Sequence, residues 1–131
     1  MFILDTNICI YIIKQKPPHV FERFRSIPLG KIGISSITLS ELNYGVMKSA
    51  LPEKNKLALA QFLIPLEILP FDNDAAISYG KIRADLENKG TPIGPLDTLI
   101  AAHALSLDQT LVTNNVKEFS RVTSLKIDNW V

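Results

Sequence analysis

The chain has 131 residues, 47% of them hydrophobic, with 14 basic against 13 acidic side chains and a formal net charge of +1. That length and apolar share give a domain with a real core and exclude a disordered chain, while the balanced charge excludes a strong overall field for nucleic acid or membrane. No apolar run approaches the roughly 20 residues of a membrane helix. The lone cysteine, Cys9, rules out an internal disulfide and fits a reducing cytosol, so a cytoplasmic protein is expected.

The elements follow in chain order. Phe2 to Leu4 is a short apolar run that stops at Asp5, and it reads as a buried strand. A helix then runs to about Lys14, with Thr6 or Asn7 near its N-cap, and Lys16-Pro17-Pro18 breaks it. His19 to Arg25 is a short helix starting near Pro18. Ile32-Gly33-Ile34 is a second strand. Ser35 or Ser36 caps a helix through Ile37, Leu39, Glu41, Leu42, Tyr44 and Met47. Another helix starts at Leu51-Pro52-Glu53, with Leu57, Ala60, Leu63 and Ile64 on its apolar side. Leu66 to Leu69 is the third strand.

Asp72, Asn73 or Asp74 caps a long helix whose stripe is Ala75, Tyr79, Ile82 and Leu86, with Gly90 as C-terminal cap. Thr91 to Pro95 is a rigid loop. It leads into Asp97 to Leu105, apolar nearly all round and so a buried helix. Thr110-Leu111-Val112 is the fourth strand, Asn115 to Phe119 a helical turn, and Leu125-Lys126-Ile127 a last short strand. Strands alternating with helices predict an α/β fold with a mainly parallel sheet. No linker is long enough for a boundary, so residues 1–131 are expected to form a single domain.

Four places set oxygen chemistry beside an apolar element: Asp5 after the first strand, Glu41 in the third helix, Asp97 opening the buried helix, and Thr113-Asn114-Asn115 with Glu118 after the fourth strand. If the first and fourth strands are neighbours, all four share one sheet edge, where open α/β sheets bind ligands. Carboxylates gathered there would repel, and a hard divalent cation, Mg²⁺ or Mn²⁺, answers that repulsion. Each residue also has a plainer reading. Alone, Asp5 caps a helix, Glu41 is solvated, Asp97 complements a helix dipole, and Asn115 with Glu118 forms a capping box. The conjunction carries the site reading.

Other residues carry less. His103 sits on an apolar helix with no second histidine near and reads as a core or rim residue. Cys9 reads as a small buried hydrophobe, and Trp130 as the seal of the C-terminal tail. Lys48, Lys54 and Lys56, and Lys81 with Arg83, read as solvated faces and as the places to look for RNA contact.

Leu4-Asp5-Thr6-Asn7, Ser35 to Leu42, Gly90 to Asp97 and Val112 to Phe119 together resemble the successive motifs of PIN-domain ribonucleases, and more narrowly the VapC toxins of bacterial toxin–antitoxin pairs. The resemblance spans nearly the whole chain. It implies a three-layer sandwich with a central, mainly parallel sheet of four to five strands. It implies an acidic pocket for Mg²⁺ or Mn²⁺ with Asp5 and Asp97 as principal ligands, Glu41 completing the set, and Thr6, Asn7 and Thr113 in support. The family often has an acid where this chain has Asn115, a departure for which Glu118 or an RNA phosphate would compensate. The implied activity is metal-dependent endoribonuclease cleavage of structured RNA, with initiator tRNA, cut in its anticodon loop, as the expected substrate. Implied partners are a VapB antitoxin, a second copy in a homodimer, and larger toxin–antitoxin assemblies.

Three other functions compete. A haloacid-dehalogenase-like phosphatase needs a second acid where Asn7 stands. A receiver domain needs an acidic pair after the first strand, and only Asp5 is there. A degenerate PIN fold that binds RNA or protein without turnover would fit the missing acid at Asn115.

Overall fold

The structure, a computed structural model, describes residues 1–131. In chain order it forms β1 (Phe2–Leu4), α1 (Thr6–Lys14), α2 (Pro18–Ser26), β2 (Ile32–Ser35), α3 (Ser36–Lys48), α4 (Pro52–Leu63), β3 (Glu67–Leu69), α5 (Asn73–Asn88), α6 (Pro95–Ser106), β4 (Thr110–Val112), α7 (Val116–Phe119) and β5 (Ile127–Asp128). The five strands form one sheet in the order β3-β2-β1-β4-β5. Every pairing is parallel, with β1 at the centre between β2 and β4.

Successive strand residues point to opposite faces, and β1 shows why the fold has three layers. Leu4 belongs to a core with Ile8, Ile12, Val20, Leu42 and Phe62, drawn from α1 to α4. Ile3, its neighbour, belongs to a core with Ile82, Leu86, Ile100 and Phe119, drawn from α5 to α7. Each such side chain contributes about 1.5–3 kcal/mol on burial. The α/β sandwich anticipated from the sequence is the observed fold. No helix is long and apolar enough to cross a membrane.

Local chemistry sets the element ends. Asp5 is the N-cap of α1, accepting the Ile8 N–H at 2.9 Å. The cap is thus Asp5, the plainer reading of that residue, and not Thr6 or Asn7, because Thr6 already has helical geometry as the first residue of α1. Ser35 caps α3 and Asp72 caps α5. At the far end of α5, Gly90 takes φ +70°, and Thr91 N–H reaches back to the Leu86 carbonyl at 2.9 Å. That is the left-handed stop that glycine allows.

Two expectations, for α4 and for the last strand, need correction. The buried face of α4 carries Leu59 and Phe62, whereas Leu57 and Ile64 are 61% and 81% exposed. The helix is apolar on too many sides for periodicity to fix its phase. On α3, Tyr44 and Met47 face solvent and Thr38 and Leu42 face the core. The last strand is Ile127–Asp128, displaced toward the C-terminus because it takes its register from Leu111 and Val112. Trp130 does seal the tail, packing edge-on against Phe2 at 5.5 Å.

Candidate active site

Because β1 and β4 are parallel neighbours, the chain leaves both strands at the same sheet edge. Asp5 follows β1, and its N–H donates to the Val112 carbonyl at 3.0 Å, which ties it to β4. Its side chain is 5% exposed. Burial raises the Asp5 pKa, and the Glu41 carboxylate adds to the rise. The Thr113 hydroxyl and the N–H groups of Ile8 and Asn7 partly offset it. Thr113 is itself buried, and its Oγ1 accepts the Asn115 N–H at 2.9 Å.

Glu41 lies half-buried on α3, and its Oε1 accepts the Thr6 hydroxyl at 2.7 Å. Thr6 opens α1, so one short hydrogen bond fastens the second acid beside the first. Asn7 is exposed in the same first turn. Asp97 stands in the first turn of α6, after Pro95. Its pKa is pushed up to about 6, first by burial and then by the charges of Asp5, Glu41 and Glu118. All four acids therefore share one electrostatic neighbourhood.

Asn115 and Glu118 correct one expectation. No capping box forms, because Asn115 makes no side-chain cap bond. Its Nδ2 donates instead to the Glu118 carboxylate at 3.1 Å, and its N–H goes to Thr113. The amide steadies Glu118 as a charge felt by Asp97.

None of the four acids has a basic partner. The ion pairs of the molecule lie elsewhere, between Arg25 and Glu22, Arg83 and Glu87, Lys89 and Asp85, and Lys126 and Asp108. One buried and three half-buried carboxylates without cationic partners at a strand edge suit a hard cation with oxygen ligands. No three His, Cys, Asp or Glu side chains converge closely enough to cage an ion by themselves. The acids feel one another's charge without closing into a cage, which fits an ion that keeps several waters and takes one or two carboxylates plus substrate phosphate.

Two buried features escaped the sequence reading. His103 Nδ1 lies 2.7 Å from Ser35 Oγ, both fully inside. The signal was present, since a histidine on an otherwise apolar helix needs a polar partner. Thr38 Oγ1 is buried with no partner, and no sequence pattern marks it. Cys9 is buried as expected.

The family model described as PIN domain matches residues 2–125. The chain belongs to the PIN-domain family. Among PIN-domain proteins it is 50% identical over 129 residues to the tRNA(fMet)-specific endonuclease VapC of Salmonella typhimurium, covering 98% of this chain and 97% of that one. It is 45% identical to ribonuclease VapC2 of Rickettsia felis, covering 99% and 98%. Among solved structures, VapBC2 from Rickettsia felis bound to a promoter DNA fragment superposes with a TM-score of 0.94 at 44% identity, covering 99% of this chain and 98% of that one. The DNA-bound VapBC of Salmonella typhimurium gives 0.94 at 49% identity and the same coverage. These match the family motifs quoted above and the three-layer PIN fold.

Proposed function

We propose that the chain is the toxin of a type II toxin–antitoxin pair, a Mg²⁺-dependent endoribonuclease that cuts tRNA and so halts translation in the cytoplasm. The observation that carries this reading is the set of uncompensated acids at the shared edge of β1 and β4 in a VapC-like chain. In it, residues 1–131 form a single PIN domain. Asp5 and Asp97 are the principal ligands and Glu41 completes them; Thr6, Asn7, Thr113, Asn115 and Glu118 support. Mn²⁺ substitutes for Mg²⁺.

When bound, the ion would lower the pKa of a water and neutralise charge on the phosphoryl oxygen. The chain's own residues arrange the rest. Thr6 fixes one oxygen of Glu41, leaving the other to orient the attacking water. The Thr113 hydroxyl and the α1 N–H groups favour the charged form of Asp5 and partly offset the effect of its burial. Water adds to phosphorus in line, the 3′ oxygen leaves, and the products carry 5′-phosphate and 3′-hydroxyl ends.

The substrate assignment follows the relative named tRNA(fMet)-specific: initiator tRNA, cut in its anticodon loop. The partner assignment, a VapB-type antitoxin, follows the relatives solved as VapBC complexes. A homodimer within a larger assembly completes it. A groove of about 320 Å³ lined by Ile10, Ile13, Leu42, Val46 and Leu59 has Glu41 in its wall. An antitoxin segment lying there would end among the acids.

The test is cleavage of purified initiator tRNA. The expected result is a single cut with Mg²⁺ or Mn²⁺ that is lost in EDTA and in Asp5→Ala and Asp97→Ala. Undiminished cleavage in excess EDTA would sink the metal mechanism. Tight tRNA binding with no cleavage under any metal would make the chain a binding module instead.

A further inference from the structure

Two helices carry both an acid of the site and a member of the buried Ser35–His103 pair. Ser35 caps α3, and Glu41 follows nearly two turns later. Asp97 stands in the first turn of α6, and His103 follows nearly two turns later. The helices pack against each other. Ser35 at the start of α3 meets His103 in the second half of α6, at 2.7 Å. Glu41, further along α3, repels Asp97 at the start of α6. The two pairs thus fall in opposite order on the two helices. At 1.5 Å rise per residue the polar tie and the acid lie roughly 9 Å apart along each axis.

The hydrogens of the tie can be assigned. Ser35 Oγ already accepts the Ile37 N–H at 3.1 Å. The Pro70 carbonyl can only accept, so the ring turns its N–H there, and the other nitrogen, Nδ1, accepts the Ser35 proton. Phe71 packs edge-on to the ring at 5.4 Å. The Phe71 N–H donates to Ser36 Oγ at 3.0 Å. One imidazole thus joins the end of β2, the cap of α3, the middle of α6 and the chain leaving β3.

We propose that His103 and Ser35 are positioning residues whose hydrogen bond sets the register of α3 on α6 and holds Glu41 opposite Asp97. The proposal rests on the metal-site reading above. The two carboxylates push the acid-bearing parts of the helices apart, and the tie opposes that push from the other end. A slip of one residue would move Glu41 by about 1.5 Å, more than the near-ideal octahedral geometry of Mg²⁺ tolerates.

The test uses the full chain, spin-labelled at Met47→Cys on α3 and Leu96→Cys on α6. Both positions are exposed and neither belongs to the site; Cys9 is buried and escapes labelling. His103→Leu removes the acceptor and keeps the bulk. His103→Asn returns an acceptor near the position of Nδ1. Ser35→Ala breaks the same bond from its other partner and serves where His103→Leu is too unstable to purify.

Three quantities are read on folded protein: the interspin distance without metal, the Mn²⁺ dissociation constant, and kcat against KM on initiator tRNA. His103→Leu and Ser35→Ala are expected to shift or broaden the distance. They are expected to weaken Mn²⁺, because a displaced Glu41 departs from the near-ideal octahedral geometry such ions require, and to lower kcat with KM unchanged. His103→Asn is expected to restore most of each. Folded His103→Leu with an unchanged distance and unchanged Mn²⁺ affinity would overturn the proposal, leaving a structural pair. If the parent protein binds no Mn²⁺, the metal reading fails, and the interspin distance alone decides the register.

Discussion

Oδ1 of Asp5 caps α1 while the same carboxylate faces Glu41, so charge and fold can be separated there by choice of substitution. The amide of Asp5→Asn keeps an oxygen for the Ile8 N–H, whereas Asp5→Ala removes the cap, worth about 0.5–2 kcal/mol. Thr6 offers a cleaner probe, since its hydroxyl is the group seen holding Glu41. Thr6→Val keeps the shape and deletes the donor. It is expected to weaken Mn²⁺ about tenfold or more, measured by direct titration, with little change in thermal midpoint.

Asp97 gives a pH dependence whose sign can be worked out. Its folded pKa of about 6 lies above the ordinary 3.8. The stability it contributes to the metal-free protein is therefore present below about pH 4 and lost as pH rises through about 6. Asp5 is shifted in the same direction. Metal-free protein is expected to melt at a lower temperature at pH 7.5 than at pH 5. Mg²⁺ is expected to raise the midpoint at pH 7.5 and much less at pH 5, where the proton competes for the carboxylate. Thermal scans at the two pH values, with and without Mg²⁺, read this directly.

At the scale of the element, the two apolar-rich helices of the sequence behaved differently. The stripe Ala75, Tyr79, Ile82 and Leu86 was legible because charged and polar residues flank it on α5; the structure buries Ala75, Ile82 and Leu86 and half-buries Tyr79. On α4 the stretch from Leu57 to Ile64 contains only one polar residue, Gln61, so no period stands out. Packing against α1 and α3 chose the phase. Phe62→Ala is expected to cost about 3–5 kcal/mol, and Ile64→Lys to change stability by no more than about 0.5 kcal/mol. Urea unfolding of the two variants distinguishes the phases.

The site was legible to the extent that it depends on strand ends. Asp5 and Thr113 sit where an apolar run stops, and a parallel β1–β4 pair brings such ends together. Glu41 and Asp97 entered only in conjunction with those strand ends and with the family motifs, since each alone reads as an ordinary helical acid. The Asn115 amide on Glu118 and the Ser35–His103 tie were not legible, because both depend on the relative placement of elements.

For the molecule as a whole, the near-neutral charge conceals an uneven distribution. Four of its 13 acids gather at one sheet edge, leaving the remaining surface basic against its 14 cationic side chains. A polyanion would meet attraction over most of the surface and repulsion at the one place where, on the proposed reading, it is cut. On that reading a divalent cation is a condition of approach as well as of chemistry.

The tail carries a consequence of another kind. Trp130 is the only tryptophan. It is buried against Phe2, with the Arg23 guanidinium 5.7 Å from its ring and its indole N–H on Asp128 at 3.2 Å. Phe2 begins β1, and Asp5 follows its end. The molecule therefore contains its own optical gauge at the end of the central strand away from the acids. Its emission is expected to shift to the red in step with loss of the sheet in urea, and to stay nearly constant when Mn²⁺ is added to folded protein. Folding could then be followed by light alone, on unlabelled chain, while the metal is titrated independently.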